Sequence, residues 1–190
     1  MFKRLSLSAA FLAAAAAPAF AHLDPAEHGS LMAGVSHPLS GADHVLAMVA
    51  VGLWASQIGG RALLAVPAAF VATMAVGFLL AVSGVALPFV EPAVLASVIG
   101  LGLLVATAVR LPAAASAAIV GLFALFHGHA HGGELGAAGA VQFGLGFLVA
   151  TALLHAAGIG LGVSLSRLGT IATRVLGAAT ALGGAALIFG

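Results

Sequence analysis

The chain has 190 residues, 63% hydrophobic and 6% charged, with a formal net charge of +1 and a mean hydropathy of +1.24. So few charges cannot cover a soluble domain, and long apolar runs without short alternating strands exclude a transmembrane barrel, so the class is an all-α polytopic membrane protein. Six scattered Lys and Arg form no basic patch and exclude a nucleic-acid partner; zero Cys excludes disulfides and thiolate metal sites, leaving His, Asp, Glu and Met as side-chain ligands.

Residues 1–21 read as a secretory signal peptide. Lys3 and Arg4 supply the positive start, Leu5 to Ala17 the apolar stretch, and Ala19-Phe20-Ala21 the cleavage site. The competing reading is an uncleaved first helix. Cleavage makes His22 the new N-terminus, where its amine and imidazole can chelate a metal as a pair; the alternative is a disordered polar tail from His22 to Ser30.

The stretch His37-Pro38-Leu39-Ser40-Gly41-Ala42-Asp43-His44 follows and runs into the apolar segment Val45 to Ala55. Pro38 and Gly41 place the helix start near Ser40 or Gly41, with His37 in the turn ahead and Asp43 and His44 in the first turn. Ionisable groups in a membrane segment are costly and point to function. Imidazole with carboxylate is the ligand set of a borderline divalent metal.

Six spanning helices are expected, at 41–58, 62–83, 92–109, 112–131, 138–163 and 170–189, forming a single domain over 22–190. Each is near the ~20 residues that cross a bilayer core. Pro92 and Pro112 fall where a first turn tolerates proline. Pro67 is placed to kink the second span, and Trp54 suits the inner aromatic belt. The short connections predict that consecutive helices pack as antiparallel neighbours.

A cleaved signal sets the mature N-terminus in the periplasm, and six spans return the C-terminus to the same side. Arg61, Arg110, Arg167 and Arg174 then fall in or beside the inner connections, while the outer ones hold Glu91 and Glu134 and no Lys or Arg. This is the pattern of the positive-inside rule. Glycines within the spans, such as Gly144, Gly146, Gly158 and Gly162, read as close helix packing. No internal repeat stands out, although two three-helix halves of opposite orientation are permitted.

The fourth span ends in Phe126-His127-Gly128-His129-Ala130-His131-Gly132-Gly133-Glu134. His127 and His131 share a face if the helix persists, and the glycines predict that it frays into a turn. The alternating imidazoles and a carboxylate read as a metal-binding cluster, against the alternative of an exposed, pH-sensitive loop. With the first span running inward and the fourth outward, His44 and His127 lie at matching depth. One site can combine His37, Asp43, His44, His127 and His131, with His129 and Glu134 nearer its mouth. His155 stands apart, deep in the fifth span one turn after Thr151, and reads equally as a structural donor or as a ligand lower on a pathway. Met48 and Met74 read as packing.

On these residues the chain resembles the HupE/UreJ family of nickel and cobalt permeases. The matching features are the signal peptide, the His-Pro-x-x-Gly-x-Asp-His run from His37 to His44 leading into Leu46-Ala47-Met48, the block from His127 to Glu134, and Leu154-His155. The resemblance covers nearly the whole chain. It implies uptake of Ni2+, or of Co2+, across the bacterial inner membrane, with His37, Asp43, His44, His127, His131 and Glu134 as transport-site residues. The larger nickel/cobalt transporters with a His-x4-Asp-His motif are similar in chemistry, but five residues separate His37 from Asp43 here.

No G-x-x-x-x-G-K-[ST] motif is present and no Lys follows Lys3, so transport is not driven through a P-loop ATPase site in this chain. The expected partners are a divalent metal ion and membrane lipid, with a second copy of the chain or a metalloenzyme-maturation system left open. No cofactor and no enzymatic activity are expected. Two rival readings stand beside the permease: an intramembrane hydrolase using a His/Asp-held zinc, and a metal sensor or store without transport.

Overall fold

Long apolar stretches punctuated by glycine and proline fold, in the computed structural model, into seven helices and no strand among the residues it describes, 25–134, 139–167 and 169–189. They are α1 (Pro25–Ser40), α2 (Ala42–Ile58), α3 (Ala62–Val82), α4 (Val90–Thr107), α5 (Ala113–Gly133), α6 (Ala140–Ser166) and α7 (Thr170–Phe189). The last five are long and apolar enough to cross a membrane. With its 17 residues, α2 is at the short end of spanning length, and the Leu31–Ser40 part of α1 meets it at an 86° bend. The observed bounds of α2 to α7 agree with the six expected spans to within a few residues. The signal peptide and His22 lie outside the described residues.

Two expectations change. Residues 25–40 form a helix rather than a tail and a turn, because the chain breaks only at Gly41, whose extended backbone (φ −91°, ψ 119°) lets α2 begin afresh. α3 runs unbroken from Ala62 to Val82 with Pro67 inside it, where the ring removes the bond that an N–H would make to the Leu63 carbonyl. Trp54 is fully buried, and its Nε1–H donates to the Val109 carbonyl at 2.8 Å. It ties α2 to the end of α4 and takes no place in a lipid-facing belt.

The main packing also departs from the expected hairpins. α3 packs most extensively on α5, α4 on α7, and α6 on both α1 and α2. The cause is glycine. Gly77 of α3 and Gly128 of α5 lie so close to the opposing backbones at Leu125 and Met74 that neither has room for a Cβ. Gly52 of α2 and Gly158 of α6 meet in the same way. Small residues let backbones approach, and in lipid such contact replaces the hydrophobic drive that holds soluble helices together. Both seams join parallel helices. The scheme has an approximate two-fold pattern: exchanging α2–α4 with α5–α7 turns the α2–α6 pair into α5–α3 and maps α4–α7 onto itself.

The result is a bundle around α2, which contacts every other helix and buries nine of its residues. Leu64, Leu79, Leu122, Leu153 and Leu182 point outward, as lipid requires. Arg61, Arg110 and Arg167 lie at one end of the bundle. The connection through Gly41 and the C-terminus of α5 lie at the other, and there the histidines gather.

Candidate metal centre

Four helices bring the histidines together. α5 does not fray before Gly133, so His127 and His131 do share a face, contrary to the expected turn. The bend at Gly41 swings α1 so that His37, in its last turn, reaches the end of α5. His37 Nε2–H donates to Glu134 Oε2 at 2.8 Å, and His131 Nδ1 lies 3.5 Å from the same oxygen. One ligand atom from each of these three residues falls within 4.8 Å of the others, a spacing that suits a metal ion. The imidazoles of His131 and His37 hold the Glu134 carboxyl well below the usual carboxylate range, so it stays ionised at any physiological pH.

The row continues inward. His131 packs 4.0 Å, centroid to centroid, from His44, and His44 stands edge-on to His127 at 4.8 Å. Asp43 Oδ1 accepts the His44 backbone N–H at 2.8 Å and faces its Nδ1 at 3.0 Å. A carboxylate takes a proton but does not give one, so His44 carries its hydrogen on Nδ1 and presents Nε2 as a lone pair, the arrangement common behind metal-binding histidines. Phe70 then touches both His127, at 5.7 Å, and His155, at 5.0 Å. Thr151, one turn before His155, donates to Met74 Sδ at 3.7 Å.

The side chains are buried: His127 has no exposure, His155 1% and His131 2%. Among the described residues, His44 Nε2, His127 Nδ1, and both ring nitrogens of His131 and of His155 meet no hydrogen-bond partner. An unmet buried polar group costs about 1–3 kcal/mol.

Of the expected residues, His37, Asp43, His44, His127, His131 and Glu134 converge, and His155 lies below them across Phe70. His129 does not join them. It faces the other side of α5, where Nε2–H donates to the Val85 carbonyl at 2.8 Å. His129→Ala is therefore expected to keep metal uptake within about twofold of the unaltered protein, while His131→Ala loses it. Equal losses in an uptake assay would place His129 with the converging residues. Sequence reading missed Phe70, Phe147, whose ring lies 4.1 Å from His131, and Ser97, which is bonded to His127. For Ser97 a signal was present, a lone hydroxyl in the middle of an apolar span; the two phenylalanines are indistinguishable from packing.

Comparison with known proteins adds lineage to this geometry. A family model described as HupE / UreJ protein matches residues 10–187. A protein named HupE from Rhizobium leguminosarum bv. viciae is 50% identical over 182 residues, covering 94% of this chain and 95% of its own length. No solved structure matches.

Proposed function

The chain belongs to the HupE/UreJ family of multi-pass inner-membrane proteins, and on that ground and on the buried row of imidazoles we propose that it is a secondary permease importing Ni2+, with Co2+ as the second candidate. The observation that carries the reading is the continuous line from Glu134 and His37 through His131, Asp43–His44 and His127 toward His155. Its donors are imidazole and carboxylate without thiolate, which suits borderline divalent ions rather than Cu+.

The ion is captured by His37, His131 and Glu134 at the outer end, where an ionised carboxylate offsets charge as water is shed. It is then handed to the neighbouring His44 and His127. Donors spread along a line rather than closed around one point bind each stage weakly enough to release. With the arginine-bearing end inside, as the positive-inside rule assigns, a divalent ion gains about 4.6 kcal/mol for each ~100 mV of inside-negative potential. That drives accumulation without ATP.

The rival hydrolase would use the same His and Asp side chains to hold a zinc that activates water, and would need them closed around one point with a position left open; the succession of rings from His131 through His44 to His127 supports a route instead.

The test is uptake of radioactive nickel at nanomolar concentration by cells expressing the chain, beside His44→Ala, with cobalt and zinc as competitors. The expected result is uptake that disappears in the variant and is blocked best by cobalt. A chain present in the membrane that binds nickel without moving it would make the protein a sensor or store instead.

A further inference from the structure

Ser97 sits on α4, facing α5, fully buried, and has two oxygen or nitrogen neighbours: the Val94 carbonyl at 2.6 Å and His127 Nε2 at 2.7 Å. A hydroxyl has one proton to give, and a carbonyl only accepts. If Ser97 gave its proton to His127, two oxygens would face one another at 2.6 Å with nothing between them. If it gives the proton to Val94, then His127 must carry hydrogen on Nε2 and donate to Ser97 Oγ. Only the second arrangement satisfies both contacts. It leaves His127 Nδ1 as a lone pair, buried and without a partner among the described residues.

We propose that Ser97 is a positioning residue: it locks His127 into the Nε2–H tautomer and makes Nδ1 the atom that meets the metal. The proposal rests on the metal-carrying reading above and deepens it. Ser97 does for His127, through a relay ending on the Val94 carbonyl, what Asp43 does for His44 through its carboxylate. The two rings are tied back by opposite nitrogens, one from α2's own first turn and one from α4. Each offers the remaining nitrogen. Without Ser97, the buried Nε2–H has no acceptor, and the ring is free to carry its hydrogen on Nδ1 instead, which closes the binding atom.

Equilibrium binding of Ni2+ to the purified full-length protein in detergent tests this atom by atom. Ser97→Ala is expected to weaken binding by about tenfold or more, the scale for removing a partner behind a metal-binding histidine, and Ser97→Thr, which restores the hydroxyl, to recover most of it. In a His127→Ala background, Ser97→Ala should add no further loss. His127→Asn, which places an oxygen near the Nδ1 position, should bind more tightly than His127→Gln, which extends its polar end toward Nε2. Unchanged affinity in Ser97→Ala, a full further loss in the His127→Ala background, or Gln outperforming Asn would each overturn the proposal. Should Ser97→Ala fail to fold, the Asn/Gln pair still decides. Because binding rather than flux is read, an unaltered protein that binds nickel but does not transport it overturns the permease reading alone, and one that binds none overturns both.

Discussion

Asp43→Ala is expected to abolish nickel uptake while leaving the protein in the membrane in normal amount. Two effects act together. Asp43 Oδ1 holds the His44 ring through Nδ1, so its loss frees the ring to turn and to carry hydrogen on either nitrogen. Asp43 also brings a carboxylate charge to within 3.0 Å of His44, partly buried at the start of α2. A carboxylate about 4 Å from a divalent ion contributes about 8 kcal/mol at an effective dielectric of ~20. Even a quarter of that, after screening by water at a partly exposed group, is more than a tenfold change in occupancy. Asp43→Asn separates the two effects, since the amide oxygen can still accept from His44 but carries no charge. Loss in both variants assigns the effect to charge, and recovery in Asn assigns it to orientation. Uptake at the normal rate in Asp43→Ala would remove the residue from the route.

The second large effect concerns assembly. Gly128→Val is expected to deplete the protein from the membrane fraction, whatever metal is supplied. A Cβ at Gly128 would collide with the Met74 carbonyl and crowd the backbone N of Phe78, and backbone does not rotate aside as a side chain does. α3 and α5 would have to part along their whole seam, at or beyond the upper end of the ~1–3 kcal/mol usual for overpacking. The matched control is Gly160→Val, where nothing lies within 4 Å of the added carbon; its level should be normal. Quantitative immunoblotting of membranes reads both. A normal level of Gly128→Val would mean that the α3–α5 seam does not hold the bundle.

Much of this fold is legible in the sequence because lipid imposes length and polarity on every span. The expected 62–83 and 170–189 and the observed Ala62–Val82 and Thr170–Phe189 differ by a residue at most. The convergence of His44 with His127 is also legible, because antiparallel succession fixes relative depth. What sequence does not carry is which helix touches which. A glycine marks a place of close approach without naming the partner, so Gly77 and Gly128 read alike whether they meet each other or not. For the same reason Ser97 and Phe70 could not be assigned to His127 before the helices were seen together. The helix over residues 25–40 escaped because Pro38 and the neighbouring glycines argue locally against it, while α1 draws its support from packing on α6.

Finally, the seams set an order of events during synthesis. Gly77 leaves the ribosome about 50 residues ahead of Gly128, and Gly34 more than 100 ahead of Gly146, which at ~5–20 residues per second means seconds of waiting for each partner. Asp43 and His44 are thus delivered to the bilayer before α5 and α6 exist to shield them. The cluster of histidines is among the last parts of the protein to be completed, and a newly made chain spends its first seconds with Asp43 and His44 in want of company.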